Sequence, residues 1–371
     1  MQKVIAGNGS IQQLKHILNT VRARKVMIVC SCSYQFLPIK EQIDNIQIPI
    51  VFFDDFTPNP QYADVAKGVH LFNAEGCDTL LAVGGGSSID VAKCIKLYCK
   101  MDETTNFLQQ EYKDTGIPLI AIPTTAGTGS ESTRYAVIYY NGEKQSVTHQ
   151  SLIPEYAILE PSVLKTLPFY QKTCTLMDAL CQGIESWWSV NSTETSKKLS
   201  QKAVETIMKN YKAYLFKNDD HATTEIFLAA NYAGQAINIT QTTSAHAMSY
   251  KITSLYGLPH GHAVAICLPY IWAYMHQNLD LCIDRRGKSY LASTFEAIAK
   301  SLGCENVDEA VCKFSDLLNE IGLEAPCKAH VDDLPVLSAS VNLTRLNNNP
   351  VKLETQNLYD LYILILKLDV K

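Results

Sequence analysis

The chain lacks the features that mark membrane, secreted and nucleic-acid-binding proteins. Its 371 residues carry a net charge of -5, whereas a nucleic-acid-binding face requires a basic excess. Its most apolar window, HAVAICLPYIWAYM (262–275), is too short to span a bilayer and contains Pro269. No basic region followed by an apolar run occurs in the opening MQKVIAGNGSIQQL, so we expect no signal peptide. These absences favour a cytoplasmic protein whose partner is neither a nucleic acid nor a membrane.

The twelve cysteines include no C-x-x-C pair, the spacing typical of redox and zinc motifs. A disulfide framework is typical of short secreted chains, whereas 371 residues suffice for two domains that each have a core. We therefore interpret the cysteines as reduced thiols. The chain also lacks an internal repeat and a low-complexity linker, so the domain boundary must be found from a change in pattern.

That change falls near residue 160. Before it, short apolar runs alternate with helical stretches, which predicts a doubly wound α/β domain over residues 1–160. The predicted strands cover 26–30, 50–53, 79–83 and 117–122, and a hairpin follows at 135–140 and 143–148. After it, amphipathic stretches predict an all-helical domain over residues 161–371. The predicted helices cover 174–190, 194–215, 222–238 and 290–302.

Two of the apolar runs end in loops of small residues. The first, in TLLAVGGGSSIDVAKCI (79–95), passes through three glycines into a helix whose first amides can bind a diphosphate. Ile89 replaces the third glycine of G-x-G-x-x-G, so a structural turn explains this loop equally well. The second, in IPLIAIPTTAGTGSEST (117–133), suits contacts to phosphate, ribose or a ring face, the alternative being a flexible loop. Asp90 and Lys93 either face the cofactor region or form an ordinary surface pair.

One carboxylate and two imidazoles in the helical half form a candidate metal site. Asp178 shares a helix face with Gln182, and His246 shares one with Tyr250, because each pair is four residues apart. His260 lies at the Pro/Gly corner of LPHGHA. Three such ligands suit Fe(II) or Zn(II) and leave a position open for a substrate oxygen. The alternative is that each histidine is an ordinary hydrogen-bonded residue.

Taken together, these segments resemble the iron-containing alcohol dehydrogenases over nearly the whole chain. GGGSSID (84–90) is similar to that family's diphosphate loop, PTTAGTGSE (123–131) to its second cofactor loop, and MDAL (177–180) to its first metal-ligand helix. His246 and GLPHGHA follow at the family's ligand spacing. The resemblance implies the dehydroquinate synthase-like fold, in which an α/β dinucleotide-binding domain precedes an all-α metal-binding domain, with the active site in the cleft between them.

The resemblance also implies a chemistry and its residues. NADH or NADPH supplies hydride to a small aldehyde whose carbonyl oxygen is polarised by one Fe2+ or Zn2+. The implied cofactor-binding residues are Ser31, Gly84, Gly85, Gly86, Ser87, Asp90, Thr124, Thr125, Thr128 and Ser130. The implied metal ligands are Asp178, His246 and His260, with Gln182 at the edge of the site. The same three ligands and Tyr250 are the implied catalytic residues.

Three positions depart from the family's pattern. Gln182 stands where many members have a third histidine ligand, which predicts weaker or less selective metal binding. Tyr250 stands where many have a histidine implicated in proton transfer, a role that a tyrosine hydroxyl can fill only through water. Ser31 stands where an acidic residue often binds the adenosine 2′-hydroxyl, so we expect NADPH to be accepted at least as well as NADH.

Two segments narrow the expected substrate. STRYAVIYYNGEKQSVTHQSLIPEYAIL (132–159) and IESWWSVNSTETS (184–196) resemble the phosphonoacetaldehyde reductase branch, which makes 2-hydroxyethylphosphonate. An anionic aldehyde of this type requires cationic and hydrogen-bonding groups. The candidate substrate residues are Arg134, Lys251, His149 and Asn191, with Ser249 as a further donor; Arg134 and Lys251 are alternatively solvated charges. A homodimer is one option for the assembly.

Three other interpretations stay open. The first is a generic small-aldehyde, alcohol or polyol dehydrogenase of the same family. The second is a lyase like the 3-dehydroquinate synthases, which share the architecture and the carboxylate-plus-two-histidine metal site; the MDAL and PHGH segments favour the dehydrogenases. The third is a non-catalytic binding or scaffold protein, suggested by Gln182 and Tyr250.

Overall fold

A computed structural model describes residues 2–341 and 346–369. The chain forms two compact units. The first is built from the segment up to Pro168 together with Lys217–Gly234, and the second from Phe169–Phe216 and the segment from Gln235 onward. The sequence predicts a boundary at 160, but no local pattern marks the return of Lys217–Gly234 to the first unit.

A parallel sheet is the centre of the first unit. Its strands are β1 (Lys3–Ala6), β2 (Val26–Cys30), β3 (Ile50–Phe53), β4 (Thr79–Gly84), β5 (Leu119–Pro123) and β8 (Tyr156–Leu159). Their order across the sheet is β1-β8-β5-β4-β2-β3, and the strand pairs are parallel. Strands β2, β4 and β5 are buried along their whole length, because a parallel sheet is covered on both faces. The predicted α/β fold class is therefore confirmed.

Helices and an antiparallel hairpin complete the first unit. The hairpin consists of β6 (Tyr135–Tyr140) and β7 (Glu143–Thr148), as predicted. The helices are α1 (Leu14–Thr20), α2 (Lys40–Asp44), α3 (Tyr62–Ala74), α4 (Gly86–Tyr98) and α5 (Ser162–Lys165). Apolar side chains of α3 and α4 pack with those of β2, β4 and β6 in one core cluster.

The second unit is helical. Its helices are α6 (Phe169–Trp188), α7 (Glu194–Lys217), α9 (Ser244–Tyr256), α10 (His260–Gln277), α11 (Lys288–Ser301), α12 (Val307–Ile321), α13 (Leu334–Ala339) and α14 (Thr355–Leu366), while α8 (Asp220–Thr240) contributes its last residues. Short 3-10 turns lie at Ser10–Gln13, Cys32–Phe36, Phe107–Gln109, Ser130–Ser132, Gln150–Leu152, Leu279–Leu281 and Val331–Asp333. The core of this unit includes Trp188, whose ring centroid lies 5.8 Å from those of Trp272 and Phe295.

All twelve cysteines are free thiols. None of the helices in the described residues combines the length and the apolar character needed to cross a membrane. The apolar window that contains Pro269 forms most of α10, which is largely buried in the second unit.

Candidate functional site

The glycine loop lies where the strand order of the sheet reverses. From β2 the chain adds β3 on one side, whereas β4, β5 and β8 follow on the other. Ligands of open α/β sheets bind at this switch point, outside the carboxyl ends of the strands. Gly85 caps the N-terminus of α4 directly after β4, and Ser31 directly follows β2. The structure thus places Ser31, the glycines and the start of α4, which includes Ser87, at one edge of the sheet.

The two predicted cofactor loops contact each other at that edge. The amide of Thr124 donates to the carbonyl of Gly84 at 3.0 Å. A Cβ at Gly86 would lie 3.1 Å from the side chain of Thr128, and one at Gly85 would lie 3.6 Å from that of Thr125. The absence of side chains in the glycine loop therefore lets the second loop approach the first turn of α4.

Asp90 and Lys93 hold the second loop against α4 through hydrogen bonds. Asp90 accepts hydrogen bonds from the Ser130 hydroxyl at 2.6 Å and the Val137 amide at 2.9 Å. The Lys93 ammonium donates to the Ser130 hydroxyl at 3.1 Å and the Thr133 carbonyl at 2.8 Å. Burial raises the pKa of Asp90 and lowers that of Lys93 to about 8. Lys93 is fully buried, so the pair is a support for the loop and not a surface ion pair.

A further support of the second loop, which the sequence did not predict, is a contact with α8. A Cβ at Gly129 would lie 2.4 Å from the Cα of Gly234, which is in α8. Next to this backbone contact, buried Glu131 accepts a hydrogen bond from the Asn231 side chain at 3.0 Å. Gly234 is an isolated glycine in a helical pattern, and this is the sequence signal from which the contact could be predicted, since such a glycine often marks close packing.

Two of the predicted substrate residues lie at the open end of the hairpin. The amide of His149, after β7, donates to the carbonyl of Arg134, before β6, at 3.1 Å. The Arg134 guanidinium lies 5.3 Å from the ring centroid of Tyr135, and His149 Nδ1 lies 2.8 Å from the Ser151 hydroxyl. Both Arg134 and His149 are partly buried. The hairpin therefore brings the backbones of these two residues together.

The other predicted substrate residues belong to the helical unit. Lys251 is partly buried on α9. The Ser249 hydroxyl donates to the carbonyl of His246 at 2.8 Å within the same helix. Asn191 is exposed, and its side-chain amide donates to Asn348 Oδ1 at 2.9 Å. Ser249 and Asn191 thus already have hydrogen-bond partners within the protein.

The predicted metal ligands form a cluster in the helical unit. One ligand atom each of Asp178, His246 and His260 lies within 4.8 Å of the other two. Asp178 comes from α6, His246 from α9, and His260 from the first residue of α10. The first two are buried and His260 is partly exposed. The cluster therefore has one open side.

Gly261 allows α10 to begin against α6. A Cβ at this position would lie 1.9 Å from the carbonyl oxygen of Cys174 and 2.9 Å from the Cβ of Asp178. The neighbouring His260 reaches the cluster because of this contact. The sequence predicts Gly261 only as part of a corner, and its position between two histidines is the signal for a closer role. The second of these, His262, bridges the Tyr170 hydroxyl and the Glu324 carbonyl, both at 2.8 Å.

The electrostatics of the cluster favour a positive charge. Burial lowers the pKa of His246, but the carboxylates of Glu185 and Asp178 outweigh burial and raise it to about 10. Burial raises the pKa of Asp178, yet His246 and His260 hold it below its usual value. Nε2 of His246 is buried 3.3 Å from Asp178 Oδ1 and has no hydrogen bond of good geometry to any described residue. A carboxylate and two imidazoles, one of which has a buried nitrogen of this kind, fit a divalent cation.

Gln182 and Tyr250 contact two different ligands. The side-chain amide of Gln182 donates to Asp178 Oδ1 at 3.2 Å. The Tyr250 ring stacks on the imidazole of His260, with centroids 5.6 Å apart and planes 5° apart. The His260 ring also lies edge-on to that of His246, with centroids 5.3 Å apart. Gln182 and Tyr250, two of the three residues that depart from the family's pattern, are therefore in contact with predicted ligands.

Comparisons with known proteins identify the family of the chain and several relatives. Residues 1–161 match the family described as iron-containing alcohol dehydrogenase, and residues 172–364 match the C-terminal part described as the Fe-containing alcohol dehydrogenase family. The probable alcohol dehydrogenase EutG of Escherichia coli is 33% identical over 271 residues, which are 71% of this chain and 66% of that protein. The phosphonoacetaldehyde reductase of Streptomyces viridochromogenes is 29% identical over 323 residues, 83% of this chain and 80% of that protein.

A solved structure extends the likeness to the whole fold. The sulfoacetaldehyde reductase of Bifidobacterium kashiwanohense, in complex with NAD+, is 25% identical with a TM-score of 0.88, covering 99% of this chain and 98% of that one. The resemblance found in the sequence and the expected fold are confirmed. The expected NAD(H) and divalent metal are confirmed as cofactors of the family. The expected enzyme class, an alcohol dehydrogenase, is also confirmed. The chain belongs to the iron-containing alcohol dehydrogenase family.

Proposed function

We propose that this chain reduces a small anionic aldehyde to a primary alcohol with NADH or NADPH and a divalent metal. The observation that carries the reaction type is the cluster of Asp178, His246 and His260, whose ligand atoms lie within 4.8 Å of one another. The cation supplies carbonyl polarisation when bound, and the reduced nicotinamide supplies hydride. The three side chains hold the cation.

Neighbouring side chains orient these ligands. Gln182 donates to Asp178, which fixes the carboxylate. Tyr250 stacks on His260, which fixes the imidazole plane. The Tyr250 hydroxyl is the chain's candidate for proton delivery to the product alcohol through water. In the first unit, amides at the start of α4 are the donors proposed for the cofactor diphosphate.

An experiment on the metal tests this reaction type. The purified protein is assayed for bound metal and for NADH and NADPH oxidation with small aldehydes. His260→Ala should abolish turnover while the protein stays folded, because α6, α9 and α10 have extensive apolar packing. Near-normal activity of His260→Ala would show that the metal role is wrong. No bound metal and no turnover in the wild type would favour a scaffold protein.

For the substrate we propose phosphonoacetaldehyde, which is reduced to 2-hydroxyethylphosphonate. The support is the likeness to two reductases whose named substrates, phosphonoacetaldehyde and sulfoacetaldehyde, are both two-carbon aldehydes with an anionic tetrahedral end. Removing such an end from water without a cationic partner is very costly. Arg134, partly buried beside His149, is the proposed partner, with Lys251 as the second candidate.

Substrate comparison tests the proposal. Phosphonoacetaldehyde, sulfoacetaldehyde, propanal and glyceraldehyde are compared by kcat/KM in the wild type and in Arg134→Ala. The phosphonate should be strongly preferred by the wild type, and Arg134→Ala should remove that preference while propanal reduction persists. Arg24→Ala is the matched control, because its side chain is 87% exposed in the same unit. Equal kcat/KM for all four aldehydes would indicate a generic small-aldehyde reductase.

A further inference from the structure

Glu185 is a fully buried carboxylate that the metal cluster itself does not use. It lies on α6, two helical turns after Asp178, so the two side chains share a face. Its Oε1 accepts hydrogen bonds from the Thr243 hydroxyl at 2.7 Å and from the amides of Thr243 at 3.3 Å and Ala245 at 2.9 Å. Its Oε2 bonds Nδ1 of His246. One carboxylate therefore contacts both the start of α9 and the imidazole that α9 presents.

These contacts determine which nitrogen of His246 can bind a metal. Oε1 faces backbone amides, which can only donate, and the same carboxylate presents Oε2 to Nδ1; this arrangement favours a proton on Nδ1. In the neutral imidazole, Nε2 is then the nitrogen with a free lone pair. That nitrogen is the one buried 3.3 Å from Asp178 Oδ1. The amides held by Oε1 belong to the first turn of α9, where helix N–H groups lack partners within the helix.

We propose that Glu185 is a positioning residue of the metal site, which fixes both the tautomer and the orientation of His246. Metal-bound histidines commonly donate their second N–H to a carboxylate, and this raises the basicity of the ligand nitrogen. The inference rests on the metal role proposed above for His246. It adds a requirement beyond the three ligands: a carboxylate, and not merely a hydrogen-bonding group, at position 185.

The substitution Glu185→Gln distinguishes a requirement for a carboxylate from a requirement for any hydrogen-bonding group. The glutamine amide has one accepting and one donating end, whereas both oxygens of Glu185 accept. If the amide oxygen faces the Thr243 and Ala245 donors, its NH2 group meets Nδ1 of His246 and favours the tautomer with a proton on Nε2. If the oxygen faces His246, the NH2 group meets the backbone amides. Either arrangement removes hydrogen bonds that Glu185 makes, although the side-chain volume at this position is nearly unchanged.

Cobalt(II) titration of the metal-free enzyme, followed by the visible d–d spectrum under chelator competition, tests the proposal. Glu185→Gln should bind Co(II) about 10- to 100-fold more weakly than the wild type, the range found when such partners are removed. Its spectrum should change, because the orientation of one ligand changes. The matched control is Glu160→Gln. Glu160 is also buried and accepts from the Ile11 and Ser162 amides, both at 3.3 Å, and its hydrogen bonds among the described residues involve no histidine. It should bind Co(II) as the wild type does.

The outcomes distinguish this inference from the proposed function. A wild type that binds no Co(II) overturns the metal role itself. Wild-type affinity and spectrum in Glu185→Gln overturn only the role of Glu185. If Glu185→Gln does not fold, 15N NMR of histidine-labelled, Zn(II)-loaded wild type decides: His246 should show a protonated Nδ1 and a metal-shifted Nε2, and a metal-bound or unprotonated Nδ1 refutes the proposal.

Discussion

Replacing Gly261 with alanine should disable the metal cluster by displacing the start of α10. The added Cβ would lie 1.9 Å from the carbonyl oxygen of Cys174, whereas ordinary contact needs about 3.5 Å, so the two helices must separate by about 1.5 Å. Their backbones meet there, so a side-chain rotation cannot relieve the contact. Metal–ligand distances tolerate only about 0.2 Å of error. His260, the adjacent residue, would therefore leave the range in which it can ligate with Asp178.

The assay has two parts, metal affinity and stability. Gly261→Ala should lose measurable Co(II) binding, and metal-free protein should be destabilised by about 1–3 kcal/mol, as is usual for overpacking. Gly322→Ala in the same unit is the control: its φ of +73° strains any other residue, but a Cβ there has nothing within 4 Å. It should lose about 1–2 kcal/mol and keep its metal. Wild-type Co(II) affinity in Gly261→Ala would refute the reasoning.

Three further outcomes follow from the site. Gln182→His should tighten Co(II) binding in a chelator competition, since an imidazole replaces an amide beside Asp178; weaker binding would exclude position 182 from the coordination sphere. NADPH should be used at least as well as NADH, because Ser31 offers no negative charge; a hundredfold kcat/KM preference for NADH, about 2.7 kcal/mol, would contradict this. Burial lowers the pKa of Lys93 to about 8 from 10.5, so between these pH values the unfolded chain binds a proton that the folded chain has released. The free energy of unfolding should therefore rise with pH across this window relative to Lys93→Met, and parallel pH profiles of the two proteins would disprove it.

The strands that could be predicted from the sequence are those that consist of a short run of apolar residues. Val26–Cys30 and Ile50–Phe53 are apolar runs long enough to indicate a strand, and both have the predicted bounds. Strand β1 (Lys3–Ala6) has no such signal, because three of its four residues are exposed and it exists through pairing with β8, about 150 residues away. Non-local pairing of this kind leaves no periodic pattern to read.

The same distinction holds for the candidate site. Asp178, His246 and His260 were found through motifs, and the structure gathers them, although their ligand role stays a prediction. Glu185 was missed because a glutamate in an amphipathic helix usually faces solvent, and its partners lie about 60 residues further along the chain. Gly261 was seen as a turn residue, since only the contact with Cys174 reveals why a side chain is excluded there.

The hydrogen bonds that Asp90 and Lys93 make to the second loop affect how this loop separates from α4 during local unfolding of the first unit. Releasing residues 130–137 from α4 would leave the buried Lys93 ammonium and the partly buried Asp90 carboxylate without these partners at the same time, so we expect the loop to open as a whole and not one residue at a time. It should instead behave as one cooperative unit with α4 in native-state hydrogen exchange, with the Val137 amide as its reporter. The entropy of ordering the loop is then lost during folding, and a ligand that binds there meets a surface already in place.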